Sequence, residues 1–149
     1  MALPSVAKSG KMQIFLGTDA TPPVYAAPCG LTTKGAVLNK NLQEVTIPDC
    51  DDPDAPSWVA RSVQSLSVTI NGDGLAAGES VPDWNSAAIS TDAVPMKVEI
   101  DFEGIGKKVL EGKFLIDSLT FGAEQGGHVT LGISAQSDGE VLDTWTAAP

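Results

Sequence analysis

The chain has 149 residues, 42% of them hydrophobic and 19% charged, a composition typical of one globular domain and not of a disordered chain. Nine basic and nineteen acidic residues give a net charge of −10, which excludes a protein that grips nucleic acid through clustered Lys and Arg. No apolar run approaches the roughly 20 residues of a membrane-spanning helix. The first residues also lack the pattern of a signal peptide, so we expect synthesis in the cytoplasm.

The 15 glycines and 10 prolines indicate many turns, as in an all-β domain. In chain order, the first predicted element is a short strand over residues 11–16. Residues 28–56 follow; they are rich in Thr, Asn, Lys, Asp and Pro, and only residues 37–38 and 45–47 have strand character. A compact domain rarely keeps so long an irregular segment without a function for it. We therefore interpret residues 28–56 as a projecting arm, for which a loose hairpin is one form.

Two cysteines, Cys29 and Cys50, lie in this arm. They fit no zinc motif, because there is no C-x-x-C and one histidine cannot complete four ligands. Two interpretations stay open. We favour a pair of buried, reduced thiols, as expected for a cytoplasmic product. The alternative is a disulfide between Cys29 and Cys50 across the base of an extended hairpin, which would stiffen a long loop.

An acidic run, Asp49, Asp51, Asp52 and Asp54, ends the arm. Clustered carboxylates suit calcium, but the run lacks the spacing, central glycine and terminal glutamate of an EF-hand. We interpret it as a solvated loop broken by prolines, and we predict no metal site.

A strand is predicted over residues 62–70, with hydrophobic residues at 66, 68 and 70 on one face and hydroxyl residues at 65, 67 and 69 on the other. Trp58 precedes this strand, and we expect it to attach the end of the arm to the core. The Asn-Gly-Asp-Gly sequence at 71–74 predicts a turn after the strand.

One helix is predicted over residues 80–89. Ser80 is its predicted N-cap, with Pro82 in the first turn and Asp83 three residues after the cap, as in a capping box. Pro95 prevents continuation beyond the following loop. Trp84 is predicted to fill one open end of the β core.

Three later segments predict strands. Residues 96–103 alternate most clearly, apolar at even and charged at odd positions, which is typical of a half-buried antiparallel strand. Residues 128–136 repeat the pattern with the opposite parity. Residues 109–121 are less regular, because Phe114 and Leu119 fall on opposite faces. Either both faces are covered, or a bulge near residues 117–118 exchanges them.

No motif in the chain indicates catalysis. His128 is the sole histidine, and no G-x-S-x-G elbow or other nucleophile motif accompanies it. We interpret it as a solvated or interface residue. Both glycine-rich phosphate-binding motifs are absent. We therefore expect no enzymatic activity and no cofactor.

Taken in order, these elements resemble the major tail-tube proteins of long-tailed bacteriophages and of phage-derived gene transfer agents. In that family an early strand precedes a long arm. A Trp-containing loop then leads into a strand closing at a G-x-G-like turn, before a short helix and further strands. This chain has these parts in the same order over almost all of residues 1–149, as one domain: a strand at 11–17, the arm at 28–56, Ser57-Trp58, a strand at 62–70, the 71–74 turn, the 80–89 helix and strands near Met96, Lys113 and His128.

The resemblance implies a mainly β fold: an antiparallel β-sandwich or partial barrel with one short flanking helix and a long projecting hairpin arm. It implies hexameric rings that stack into a tail tube, the conduit for DNA ejection in a virion. The implied partners are further copies of the chain and tail-tip or baseplate, tape-measure and tail-terminator proteins. Double-stranded DNA would pass without specific binding, and no membrane partner is implied.

The resemblance also implies roles for two groups of residues. The arm would contact the neighbouring ring, through candidate residues Leu38, Asn39, Lys40, Asn41, Leu42, Glu44 and Val45. Wet strand faces would line the lumen, with Glu99, Asp101 and Glu103 as candidate lining residues and Lys97 as a partial offset. An acidic wall repels DNA phosphates and lets DNA slide, and closed rings pair the exposed strand edges.

Two alternative functions stay open. The inner tube of a contractile injection system has a related fold and a different, sheath partner. A stand-alone β-sandwich that binds carbohydrate or protein usually exposes clustered aromatic residues. Here aromatic residues make up only 5% of the chain, and the tryptophans Trp58, Trp84 and Trp145 are scattered.

Overall fold

The computed structural model describes residues 3–4, 6, 8, 11–17 and 24–148. Within them, strands and one helix follow in the order β1 (Met12–Gly17), β2 (Tyr25–Ala26), β3 (Leu31–Ile47), β4 (Trp58–Leu75), α1 (Val81–Ile89), β5 (Val94–Phe102), β6 (Gly106–Gly122), β7 (Thr130–Ser137) and β8 (Leu142–Ala147). The described residues contain no helix long and apolar enough to cross a membrane.

All the strands belong to one antiparallel sheet with the order β2-β1-β5-β6-β7-β4-β3, and β8 pairs with β6. Residues 106–114 of β6 pair with β5, while residues 114–122 pair with β7. The sheet therefore has two parts, which we name the β5 layer (β2, β1, β5, the first half of β6, β8) and the β7 layer (the second half of β6, β7, β4, β3). The sheet curls until β1 approaches β3, where Lys34 Nζ donates to the Met12 carbonyl at 2.8 Å. The predicted fold class, a β-rich partial barrel with one short helix, is confirmed.

One hydrophobic core lies inside the curl and draws side chains from both layers. Its buried residues are Ile14, Val68, Ile70, Trp84, Met96, Val98, Leu110, Phe114, Leu131, Ile133 and Ala135. Apart from Trp84 of helix α1, they lie on strands and face inward at alternate positions, because successive side chains point to opposite faces of a sheet. The predicted apolar faces of β5 and β7 are thereby confirmed.

A bulge in β6 lies between Ile116 and Ser118. Phe114 and Ile116 face the core before it, and Leu119 faces the core after it. The extra residue of a bulge shifts the alternation by one position. Of the two interpretations of this segment, the bulge is correct.

Helix α1 is confirmed, but its predicted cap is wrong. Trp84 is fully buried, and Ser80 occupies the N-cap position without a side-chain capping bond. The Ser80 hydroxyl is buried and accepts a hydrogen bond from the Cys29 backbone N–H at 2.8 Å. It holds the segment before β3 against the helix instead of capping the helix.

The predicted turn at residues 71–74 is wrong. These residues continue β4 and pair with both β3 and β7. Neither Gly72 nor Gly74 has a positive φ, so turn conformation is not the reason for glycine here. A Cβ atom on Gly72 would lie 3.1 Å from Leu31 Cδ1, and one on Gly74 would collide with the Gly30 carbonyl. The glycines allow the start of β3 to lie close against β4.

The arm is a regular hairpin. Strand β3 has 17 residues and β4 has 18, and their pairing runs from Leu31–Gly74 to Ile47–Trp58 with two irregularities, between Leu31 and Thr33 and between Asn41 and Leu42. The loose, largely irregular arm that the composition suggested is therefore corrected to a long two-stranded ribbon with an end loop.

Candidate functional site

The outer part of the β3–β4 hairpin extends beyond the core. From Val37 to Ile47, every residue of β3 is exposed. The ten residues of positions 38–47 span about 33 Å at roughly 3.3 Å per residue. The predicted arm residues Leu38, Asn39, Lys40, Asn41, Leu42, Glu44 and Val45 all lie in this part.

One face of the projecting hairpin carries a row of exposed apolar side chains. Leu38 pairs with Val68 and Leu42 with Val63, so these side chains continue the face that is buried further along β4. Leu38 is 55% exposed and Leu66 is 61% exposed. We call Leu38, Leu42, Val63 and Leu66 the apolar stripe.

Charged residues occupy the same face as the stripe. Lys40 pairs in register with Leu66, and Arg61 forms a salt bridge of 3.2 Å with Glu44. Charged side chains on an exposed strand hinder non-specific strand pairing with other chains, and so hinder aggregation.

The end of the hairpin carries Trp58 opposite Ile47. Trp58 is 90% exposed and Ile47 is also exposed. The expectation that Trp58 attaches the arm to the core is therefore wrong, because strand pairing places it at the far end of the ribbon. An exposed Trp beside an exposed Ile is typical of the central residues of protein interfaces.

The face of the β7 layer that points away from the core carries polar side chains that bond across the strands. Asn39 Nδ2 donates to Thr69 Oγ1 at 3.4 Å, and Thr69 Oγ1 donates to Gln136 Oε1 at 2.9 Å. Gln136 Nε2 donates to Asp117 Oδ2 at 3.5 Å. These four residues belong to β3, β4, β7 and β6 in turn, and we call them the polar ladder.

The outward face of the β5 layer is different, because it carries paired charges. Lys97 Nζ lies 4.8 Å from the ring centroids of both Phe15 and Tyr25, in cation–π geometry. Glu99 pairs with Lys97 at 3.9 Å and with Lys107. The side chains of Lys97 and Glu99 are only 23% and 19% exposed. These predicted lumen residues are thus largely covered within the single chain.

The other two predicted lumen residues lie at the far end of β5. Asp101 pairs in register with Lys107. Glu103 lies beyond β5 in the turn to β6 and pairs with Lys11 at 3.5 Å. The lumen assignment of Lys97, Glu99, Asp101 and Glu103 stays a prediction.

Two groups on this face have shifted pKa values. Burial, together with the hydrogen bond that Tyr25 Oη donates to Glu111 at 2.9 Å, raises the pKa of Tyr25 to about 12. The hydrogen bond and charge of Glu99 raise the pKa of the exposed Lys107. The phenol of Tyr25 thereby ties the two-residue strand β2 to the first half of β6.

The two thiols are free and exposed, so the expectation that they are buried is wrong. Cys29 precedes β3 and Cys50 follows it, and the 17 residues of β3 separate them by roughly 55 Å along an extended strand. A disulfide requires Cα atoms within about 7 Å. A disulfide between Cys29 and Cys50 within one chain is therefore incompatible with this fold. Cys29 lies at the base of the hairpin, and Cys50 lies in its end loop.

The remaining candidates for chemistry are dispersed. His128 is exposed in the loop before β7, and Asp49, Asp51, Asp52 and Asp54 are exposed in the end loop of the hairpin. Among the described residues, no group of three or more His, Cys, Asp and Glu side chains is placed to hold a metal ion. The prominent features of the described surface are thus the hairpin and the two outward sheet faces.

A family model described as phage tail tube protein matches residues 7–143. The chain belongs to the phage tail tube protein family. It is therefore a structural protein of a phage or gene transfer agent virion. Comparison with curated protein sequences yields no match.

Solved tail structures share the fold. The tail of an empty gene transfer agent particle, refined with C6 symmetry, contains a chain of 16% identity and TM-score 0.72, with 93% of this chain and 99% of that chain covered. The SPP1 tail tube has 16% identity and a TM-score of 0.60, with 96% of this chain and 80% of that chain covered. The cap that terminates the tube of the anti-feeding prophage has 13% identity and a TM-score of 0.59, with 99% of this chain and 95% of that chain covered.

Sequence reasoning missed two features of the site. The regular pairing of the hairpin was hidden by its polar composition and by the mixture of apolar and polar residues on both faces of residues 36–47. The polar ladder depends on cross-strand register, which no pattern within one strand records.

Proposed function

We propose that this protein forms hexameric rings that stack into the tail tube, and that the β3–β4 hairpin of each subunit contacts the neighbouring ring. The observation that carries the proposal is the hairpin itself, which projects past the core with the apolar stripe on one face and Trp58 at its end. The C6 symmetry of the similar gene transfer agent tail supports a ring of six.

The hairpin needs a partner surface for energetic reasons. A two-stranded ribbon is marginally stable in water by itself, and soluble monomers rarely expose extended apolar patches. The apolar stripe lies on one face of this ribbon, and the exposed pair of Ile47 and Trp58 lies on the other face at its end. A second copy of the chain is the partner that a tube supplies to every subunit, so the stripe is buried when rings stack.

The tube would be closed at its ends by tail-tip or baseplate and tail-terminator proteins and filled by a tape-measure protein before DNA passes. DNA would pass without specific binding, consistent with a net charge of −10. The role requires no catalysis, cofactor or membrane. Membership of the tail tube family favours this function over a stand-alone binding module and over the inner tube of a contractile injection system.

The direct test shortens the hairpin. Residues 40–66 are replaced by Asn-Gly, which joins the register neighbours Asn39 and Ser67 through a two-residue type I′ turn. We expect a folded monomer that forms no tubes, because the core is retained and the contact surface is removed. Negative-stain electron microscopy and size-exclusion chromatography of both chains at equal concentration measure this.

The full-length chain is the control and should form rings or tubes. Tubes of normal appearance from the shortened chain would contradict the role of the hairpin. A strictly monomeric full-length chain at high concentration would instead contradict tube formation altogether and favour a binding module.

A further inference from the structure

The exposed tryptophan at the hairpin end lies on the same strand as a cavity at the opposite end of the β7 layer. Strand β4 runs from Trp58 to Leu75, so its two ends lie roughly 55 Å apart at about 3.3 Å per residue. Trp58 is 90% exposed at the first end. At the second end Leu75 pairs with Thr130 of β7, and Thr130 pairs with Gly122 of β6, so three strands end side by side.

The cavity lies between these strand ends and the loop that joins β6 to β7. Its volume is about 510 Å³. Cavities of about 300–1,000 Å³ hold drug-sized ligands, so this one has room for an indole side chain. We call it the loop cavity, and its lining includes Leu75, Gly122, Ala123, Glu124, Gly127 and His128.

We infer that the loop cavity of one copy receives Trp58 from the hairpin of a copy in the neighbouring ring. This inference rests on the proposed tube, and it names the surface that the hairpin contacts there. The occupant of the loop cavity is thus a second copy of this chain.

The first argument concerns the direction of stacking. Rings that stack in one direction are joined head to tail, so a patch at one end of each subunit meets a different patch at the other end of the next. Trp58 lies at one end of β4, and the loop cavity lies beside Leu75 at the other. The same contact can therefore repeat from ring to ring.

The second argument concerns the chemistry of the two surfaces. Tryptophans that dominate protein interfaces enter pockets that exclude water, and their apolar ring carries a single N–H donor. Leu75 and Ala123 supply apolar groups to the loop cavity, and Glu124 supplies a carboxylate acceptor. The lining therefore matches both parts of an indole.

The third argument concerns Gly127, which the single chain does not require to be glycine. Its φ is not positive, and a Cβ atom there would lie 3.5 Å from the Glu124 carbonyl oxygen, which is an ordinary contact. A larger residue would thus fit the fold, but its side chain would occupy the loop cavity. The missing side chain keeps the loop cavity open for a partner.

The second exposed tryptophan of the chain does not offer a comparable recess. Trp145 is 53% exposed, but its ring lies 5.9 Å from the ring of Phe102 between centroids. It also lies over Gly106, where a Cβ atom would be 2.9 Å from Trp145 Cζ2. This surface presents the face of a ring, which cannot enclose a second indole.

The first test cross-links the two surfaces in tubes of a chain with Cys29→Ser and Cys50→Ser. Ser57→Cys lies next to Trp58, Gln125→Cys lies in the loop between β6 and β7, and both positions are exposed. A disulfide requires Cα atoms within about 7 Å, and the length of β4 separates these two positions within one chain. Each disulfide between them must therefore join two copies.

We expect oxidation of these tubes with copper phenanthroline to give a ladder of covalently joined chains on denaturing gels, because every copy carries both cysteines. The comparison pair, Ser57→Cys with Thr146→Cys, places the second cysteine beside Trp145 at another exposed position and should give no ladder. The loop cavity is overturned as the acceptor if the first pair gives no ladder in intact tubes, or if the comparison pair gives an equal one.

The second test fills the loop cavity with Gly127→Leu and measures the free-subunit concentration needed for tube growth. In the chain with Trp58, this concentration should rise about tenfold or more, because the tryptophan loses its pocket. In the Trp58→Ala chain, the same filling should change it less than about threefold, because residues in contact are not additive. Thermal unfolding of the monomers checks that each variant is folded.

Equal effects of Gly127→Leu in the two chains would overturn Trp58 as the occupant of the loop cavity and leave the proposed tube standing. Absence of tubes from the unchanged chain would instead overturn the proposed function and this inference with it.

Discussion

The exposed tryptophan at the end of the hairpin gives the sharpest test of stacking. In the single chain Trp58 is 90% exposed, and its contact in the hairpin is the cross-strand pair with Ile47. Such pairs contribute about 0.2–1 kcal/mol relative to alanine. Trp58→Ala should therefore leave the thermal unfolding of the monomer almost unchanged.

The same substitution should impair assembly strongly. A tryptophan at the centre of an interface commonly accounts for about 2–4 kcal/mol when it is truncated. The lower figure, about 2 kcal/mol for each added subunit, raises the free-subunit concentration needed for tube growth by roughly 30-fold. In a ring of six, the loss sums to about 12 kcal/mol for each ring-to-ring contact.

Sedimentation of tubes over a range of protein concentrations, with electron microscopy of the pellets, measures this threshold. Ile89→Ala is the matched control, because Ile89 is 73% exposed but lies on helix α1, away from the hairpin. The control should assemble like the unchanged chain. An unchanged threshold for Trp58→Ala, with its fold intact, would refute the assignment of the hairpin end to the ring contact.

Three further predictions concern the single subunit. Tyr25 has a pKa of about 12 in the folded chain against 10.0 unfolded, so its contribution to stability is complete below pH 10 and is lost as pH rises through 12. Tyr25→Phe should reduce this loss by about 1 kcal/mol after discounting for partial exposure, and the tyrosinate absorbance of this single tyrosine should rise near pH 12. Phe114→Ala removes a fully buried ring and should lower the free energy of unfolding in urea by about 3–5 kcal/mol; a loss below 1 kcal/mol would contradict its place in the core. Ser80→Ala leaves the Cys29 N–H without its acceptor and should cost about 1–3 kcal/mol, while helix content by circular dichroism stays constant; loss of the helix would mean that Ser80 is a functional cap after all.

The strands that pack against the core were the predictable part of the fold. Met96 and Val98 in β5, and Leu131 and Ile133 in β7, are buried as their alternation requires. One face of each strand contacts the core and the other does not, so the sequence records the burial directly. Helix α1 was predictable for a similar reason, since Pro82 marks its first turn.

The errors arose where a residue's role depends on a distant segment. Gly72 and Gly74 look like turn residues, but they are glycines because β3 lies close against them. Ser80 looks like a cap, but its hydroxyl bonds to Cys29, 51 positions away in the sequence. Trp58 looks like a core residue because it is large and apolar, yet pairing with Ile47 places it at the exposed end of the ribbon. Local patterns cannot record these long-range contacts.

The outward faces of the β7 layer and the β5 layer were only half predictable. Hydroxyl residues on the outer face of β4 were evident from the sequence, but their bonds to Asn39 and Gln136 require the register of three strands. The outward charges of β5 were evident too. Their pairing with Lys107, and the packing of Lys97 between Phe15 and Tyr25, were not. These contacts turn an apparently open acidic face into a largely neutralised one.

One face of β4 therefore serves both the fold and the assembly. Ile70, Val68, Leu66 and Val63 lie on one face, and only the position along the strand decides whether a core covers them. Ile70 and Val68 contact the opposite layer, so truncating them should reduce the stability of the monomer. Leu66 and Val63 lie past the end of that layer, so in a tube they would be covered by the neighbouring ring. The transition from stability residues to assembly residues falls between Val68 and Leu66, where the curled sheet ends and the projecting hairpin begins.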